Sequence, residues 1–120
     1  AQRMVRRICP DCIQIIEAPL VEQMAYEKAI GVKRSKFPYG AGCKTCSFTG
    51  YRGRTVIMEL LRMSDNIRRM LIKGASTADL HEQAITEGMV TMLKDGMLKV
   101  QQEITTPSEI LRSAFTAETL

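Results

Sequence analysis

Apolar positions in the second half of the chain recur at helical spacing. Met89, Met92, Leu93, Gly96, Met97 and Val100 fall at i, i+3, i+4, i+7, i+8 and i+11, the repeat of one helix face. Ser64 reads as an N-cap for a helix with Ile67, Met70 and Leu71 on one side and Gly74 as its stop. Ser76 and Asp79 resemble a capping box for a helix that carries Leu80 and Ala84 and ends near Gly88. Thr106-Pro107-Ser108-Glu109 places an N-cap, a first-turn proline and an acid ahead of Ile110, Leu111 and Ala114. Earlier, Pro19 and Gly31 bracket a helix with Leu20, Val21, Met24 and Ala25 on one side. The best strand candidate is the stretch from Thr55 to Leu61, β-branched at its start. Residues 1–8 read as the end of a helix or a connector, Cys9-Pro10-Asp11-Cys12 as a tight turn, and residues 32–54 as loops around a site. The pattern predicts an α+β, mostly helical chain. A loop and helix unit with a short strand covers 1–62, and a helical subdomain covers 63–120. There is no internal repeat.

Composition narrows this further. With 45% hydrophobic and 25% charged residues the chain is globular rather than disordered. There is no Trp and aromatics are 5%, against eight Met, so the core is expected to be aliphatic and methionine-rich. No apolar run approaches the roughly 18 residues of a membrane span, and no secretory signal opens the chain. It starts Ala1-Gln2-Arg3 without an initiator Met, as a piece of a longer protein would. The net charge of +4 is uneven: residues 1–54 hold ten bases against four acids, while residues 55–120 are net −2.

All four cysteines lie in the basic half, as Cys9-x-x-Cys12 and Cys43-x-x-Cys46 with thirty residues between the pairs. Two such turns can each aim two sulfurs at one ion and together close a tetrahedral shell, which predicts a structural zinc site. A closed shell leaves no position for water, so the site is expected to tie loop ends together and not to catalyse. A disulfide framework needs an oxidising compartment that nothing here indicates. A thioredoxin-like site needs a βαβ setting that is missing. A rubredoxin-like iron site is the nearest chemical rival, but Ile13 and Ser47 follow the pairs where such sites usually carry Gly. With zinc bound, four thiolates and the ion add −2, so the working charge falls nearer +2.

Other apparent motifs dissolve on inspection. Gly40-Ala41-Gly42-Cys43-Lys44-Thr45 lacks both glycines of a phosphate-binding loop, whose places are held by Pro38 and Cys43. His81, the single histidine, is expected at an exposed helix position, and the methionine stripe as core filling. The carboxylates show no paired arrangement. The chain alone is therefore not expected to be an enzyme. The basic half, with Tyr26, Phe37, Tyr39, Phe48 and Tyr51, offers a nucleic-acid-binding zinc module as the alternative reading. No basic recognition helix supports that alternative.

Three blocks carry a family resemblance. Gln2-Arg3-Met4-Val5-Arg6-Arg7-Ile8-Cys9-Pro10-x-Cys12 resembles the segment that leaves the ATPase core of secretion ATPases. Tyr39-Gly-Ala-Gly-Cys43-x-x-Cys46-x-x-Thr49-Gly50-Tyr51-x-Gly53-Arg54 resembles the second half of their tetracysteine motif. Glu59-Leu60-Leu61, Gly88-Met89-x-Thr91-Met92 with Asp95-Gly96, and Ile104-Thr105-Thr106 with Glu109 resemble their helical C-terminal region. The family is the hexameric traffic ATPases of type II secretion and type IV pilus assembly. The resemblance implies a cytoplasmic protein at the inner face of the bacterial inner membrane, driving pilus or pseudopilus extension through a membrane platform protein. Retraction ATPases of the superfamily generally lack the tetracysteine unit, which favours the assembly or secretion branch. The family's Walker and Asp and His boxes lie upstream and are absent here, so this fragment is expected neither to bind nor to hydrolyse ATP. Glu103 stands where relatives often have Gly. Arg52 and Arg54 are candidates for a partner interface; alternatively they satisfy carbonyls and offset the thiolates.

Overall fold

The computed structural model describes residues 1–119, with side chains as far as Ala114. The chain is α+β and mostly helical. Its order is β1 (Gln2–Ile8), β2 (Ile13–Glu17), α1 (Leu20–Ile30), β3 (Lys36–Gly40), β4 (Tyr51–Met58), α2 (Asp65–Ile72), α3 (Thr77–Thr86), α4 (Met92–Gln101) and α5 (Pro107–Thr119). The strands form two separate antiparallel ribbons, β1 with β4 and β2 with β3. In the first, Val5 faces Thr55 and Ile8 faces Tyr51, with a bulge between Arg6 and Ile8. In the second, Ile13 faces Gly40 and Glu17 faces Lys36.

The strands account for most departures from the sequence pattern. Residues 1–8, expected as a helix end or connector, form β1. Its inward positions Val5 and Ile8 are buried, while Met4, Arg6 and Arg7 are exposed. Residues 32–54 are not all loop: they hold β3, in which Phe37 and Pro38 are buried, and the start of β4. The strand expected from Thr55 to Leu61 begins at Tyr51 and ends at Met58. It starts early because the β1 ladder continues to Ile8 opposite Tyr51.

Local signals placed the helix ends well. Ser64 and Ser76 accept bonds from the N–H groups of Ile67 and Asp79 as their positions predict, and Thr91, which the pattern does not mark as a cap, accepts from the Lys94 N–H. Each satisfies a backbone donor that the first turn leaves without a helical acceptor. Helix α4 begins at Met92, so Met89 precedes it, but Met92, Gly96, Met97 and Val100 are its buried face as the spacing predicts. Helix α1 spans its predicted range, and the apolar side chains along its one side are mostly outside. Leu20, Val21 and Met24 are exposed, and Tyr26 is the buried residue, edge-on to Phe37 at 4.9 Å. One hydrophobic cluster joins Val5, Tyr26, Phe37 and Ile57 to Met92, Met97, Val100 and Ile110. Gly96 brings α4 against α5: a Cβ there would lie 2.6 Å from Ile110 Cγ2. Among the described residues, no helix is long and apolar enough to cross a membrane.

The C-terminal segment is clamped along β1. The Ile8 N–H donates to the Ile104 carbonyl at 2.9 Å, and the Thr105 hydroxyl donates to the Arg6 carbonyl at 2.8 Å. Glu109 completes the clamp. Thr106 caps its N–H as the sequence predicts, but its carboxylate turns away from the helix end toward β1. It accepts from the Arg6 N–H at 2.8 Å, from the Arg6 guanidinium at 2.9 Å and from Arg112 at 3.0 Å. Its side chain is 1% exposed. Burial would raise the pKa of this carboxyl, but the two guanidinium groups and the backbone N–H outweigh it and bring it down to about 2.

Because the folded pKa is depressed, Glu109 contributes its stability fully above its usual pKa of 4.5 and loses it as pH falls toward about 2. Acid titration of unfolding should show this loss in the native chain and a flatter profile in Glu109→Gln. That variant should be less stable at neutral pH by on the order of 2–3 kcal/mol. Glu103 supplies a change of opposite sign. It is exposed, and its φ of 62° puts it at the left-handed position that ends α4, with the Ile104 N–H bonded to the Lys99 carbonyl. Glu103→Gly should raise the denaturation midpoint by an amount worth about 1 kcal/mol.

Candidate metal centre

Each cysteine pair occupies the link between one ribbon and the other. The first, Cys9 to Cys12, connects the end of β1 to the start of β2, and the second lies between the end of β3 and the start of β4. Both ribbons therefore terminate at the same place. The Cys9 N–H donates to the Gly50 carbonyl at 3.0 Å, and the Ala41 N–H donates to the Cys12 carbonyl at 3.0 Å, so each link is held against the other. The backbones meet most closely at Gly40 and Gly50. A Cβ on Gly40 would lie 2.0 Å from the Gly50 carbonyl oxygen, and Gly50 itself has φ 81°. Any side chain at either position would push the two links, and their sulfurs, apart.

The four Sγ atoms all lie within 4.8 Å of one another and could hold a metal ion. Cys9 to Cys43 is 3.8 Å, Cys12 to Cys46 is 3.9 Å and Cys43 to Cys46 is 3.8 Å. These are far from the roughly 2.05 Å of a disulfide, and all four cysteines are free. A regular tetrahedron with arms of about 2.3 Å has edges of about 3.8 Å, the spacing of a tetrathiolate around zinc. The residues present fit such an ion in ligand type, number and spacing.

Backbone N–H groups are aimed at two of the sulfurs. Gly42 N–H donates to Cys12 Sγ at 3.3 Å, Cys43 N–H to Cys46 Sγ at 3.3 Å and Gly50 N–H to Cys46 Sγ at 3.2 Å. In the metal-free protein burial pushes the Cys9 and Cys12 thiols up, Cys12 to about 12. Burial acts on Cys46 too, but the N–H groups of Cys43 and Gly50 outweigh it and bring that thiol down to about 6. A bound cation would remove the penalty on the others by holding them deprotonated.

The second link is strained. Ser47 and Phe48 have φ of 55° and 63°, a conformation that favours glycine and costs about 1–2 kcal/mol for each L-residue. The strain is what folds the turn back on itself: Phe48 N–H reaches the Cys43 carbonyl at 2.8 Å and Thr49 N–H the Cys46 carbonyl at 3.2 Å.

The arginines divide into two groups. Arg52 and Arg54 are exposed on β4, next to the link. No side-chain partner is seen for either among the described residues. The spacing of residues around the cysteines did not single out Arg6 above its neighbours, yet Arg6 is the one built into the fold. It faces Arg54 across the ribbon, stacks 4.1 Å over the Tyr51 ring and pairs with Glu109. The Tyr51 hydroxyl in turn shares a 2.7 Å hydrogen bond with Thr106. Thr105 and Thr106 are buried with their hydroxyls bonded, as polar side chains at such positions require, but that burial exists only in the fold and no local sequence signal marks the network. His81 sits half-exposed on α3, with Nε2 3.4 Å from Glu59.

Residues 1–112 match the family described as type II/IV secretion system protein. The chain is 36% identical over 112 residues to the type IV pilus assembly ATPase PilB of Thermus thermophilus, covering 92% of this chain and 13% of that protein. It is 38% identical to the type II secretion system protein E of Klebsiella pneumoniae, covering 93% of this chain and 22% of that one. It is 36% identical to the type II secretion system ATPase E of Vibrio cholerae, with 93% and 22% coverage. The chain thus spans between 13% and 22% of the length of these relatives. With nearly all of its residues matched at this level, the chain belongs to the family of type II/IV secretion system proteins.

Proposed function

We propose that this chain is the non-catalytic C-terminal part of a hexameric ATPase that powers type II secretion or type IV pilus assembly. In this reading it works in the cytoplasm at the inner membrane. Cys9, Cys12, Cys43 and Cys46 hold one zinc ion, which supplies a rigid cross-link and no reaction. The single observation that carries the reading is the place of the cysteines, at the point where both ribbons end. A cross-link there makes two marginal two-stranded ribbons into one stiff bracket. Through β1 the bracket is continuous with the Glu109 clamp and so with α5. Motion of the upstream ATPase core would reach the bracket as a rotation of a stiff body, passed to a neighbouring subunit or to the membrane platform. Arg52 and Arg54, exposed beside the metal, are the proposed contacts. Family membership supports the secretion or pilus setting over a nucleic-acid-binding zinc module.

Cys43→Ser in the full-length protein tests the bracket. Metal content measured on the purified protein should fall from one ion per chain toward none, and secretion or piliation should fall at least tenfold. Retention of both metal and output would sink the reading. ATP turnover by the 120-residue chain should be indistinguishable from buffer. A steady phosphate release that scales with chain concentration would overturn the non-catalytic assignment.

A further inference from the structure

We infer that Phe48 is a binding anchor, projected by the metal-centred turn into an apolar slot on an acidic protein partner. The inference rests on the bracket reading and names what the bracket grips. Phe48 is 71% exposed, the most exposed aromatic among the described residues, in a chain that otherwise spends its few rings on packing. Tyr26 and Phe37 are in the core, and Tyr51 lies under Arg6. Its backbone is also held at φ 63°, where a bulky residue is disfavoured and glycine would be at ease. A large apolar side chain that is exposed and strained together does nothing for the fold, and strain of this kind marks positions kept for contact.

The turn is built to hold that side chain out. Its closing bond runs from Phe48 N–H to the Cys43 carbonyl, between two residues of the sulfur cluster's own loop. Gly42 leaves room for it, since a Cβ there would lie 3.0 Å from the Phe48 carbonyl oxygen. An aromatic on a turn fixed at both cysteines loses little freedom on binding, which is the property of an interface anchor.

The charge around it sets the partner's character. Lys44 lies in the same turn, and Arg52 and Arg54 begin the strand that leaves it. Arg7 lies across the ribbon from them, with its Cδ 3.6 Å from where a Gly53 Cβ would sit. All four are exposed, without an ion-pair partner among the described residues. Against these four cations the two links hold a single acid, the exposed Asp11, and no acid lies between Glu27 and Glu59. An apolar finger rimmed by cations fits a slot rimmed by carboxylates, with the rim governing encounter and the ring governing residence.

Phe48→Gly in the full-length protein separates contact from structure. Glycine relieves the backbone strain, so metal content should stay at one ion per chain and the thermal midpoint should hold or rise. Secretion or piliation should nevertheless fall at least fivefold. A photo-crosslinking phenylalanine analogue at position 48 should form an adduct in cells with a protein of the same machinery, mapping to a segment rich in Asp and Glu. Unchanged output in Phe48→Gly overturns the anchor, as do an adduct confined to nucleic acid, lipid or the same polypeptide, and no adduct at all. If Phe48→Gly is silent while Cys43→Ser abolishes output, the anchor falls and the bracket stands. If Cys43→Ser is silent, the bracket itself falls.

Discussion

Four sulfurs can share one centre only if the two links that carry them arrive at the same point, and that requirement shapes everything before residue 60. Each link leaves one ribbon and enters the other, so β1 does not pair with β2 nor β3 with β4; β1 pairs with β4, and β2 pairs with β3 across α1. The first ribbon waits for β4 and the second for β3, and both are closed across a long stretch of chain. Two-stranded ribbons are marginal alone. Here each is fixed at one end by the cysteines and along one side by packing, through Val5 and Ile57 in the first and Phe37 in the second. The backbone contact of Gly40 with Gly50 is the closest approach in this arrangement.

The clamp at Glu109 extends the same constraint to the helices. A buried carboxylate with two guanidinium partners has few acceptable geometries, because each lost bond leaves charge without compensation. Glu109 therefore fixes the start of α5 against the middle of β1, four residues or fewer from Cys9. The metal centre and the helical end of the chain share one strand as their common support. By contrast, α2 and α3 pack chiefly on each other, beside the body formed by the ribbons and α4.

What could be read from the sequence follows from the range of each interaction. Ser64, Ser76 and Thr106 signalled helix starts because a cap is decided within three or four residues. The cysteine spacing announced a four-sulfur cluster because two residues between cysteines fix a turn whatever surrounds it. The strands were harder. Gln2–Ile8 carries three arginines and a bulge, which break the alternation that marks a half-buried strand. Lys36–Gly40 contains a proline and ends on a glycine, so it resembles a loop; an edge strand tolerates both. Leu20, Val21 and Met24 share one side of α1 and are exposed, because an apolar helix side is buried only where the fold supplies something to cover it. Glu109 was legible as a helix-start acid, but its partner Arg6 is 103 positions away and no local rule connects them.

Charge closes the account of why the metal end differs from the rest. Arg6 and Arg54 face each other across the first ribbon, a like-charge pair that costs stability unless something offsets it. Glu109 offsets Arg6 and is shared with Arg112, so it has nothing left for Arg54. A divalent ion in four thiolates would carry −2, and with Asp11 that leaves Arg7, Lys44, Arg52 and Arg54 in excess by about one charge. A surface that keeps four exposed cations without ion-pair partners among the described residues beside an exposed, strained aromatic is poorly arranged for stability. The same surface is well arranged for meeting an acidic partner. In the reading proposed above, a metal held by the sulfur cluster beneath it would supply the stability given up there, and the metal centre would be the foundation of the contact surface rather than a second, separate feature.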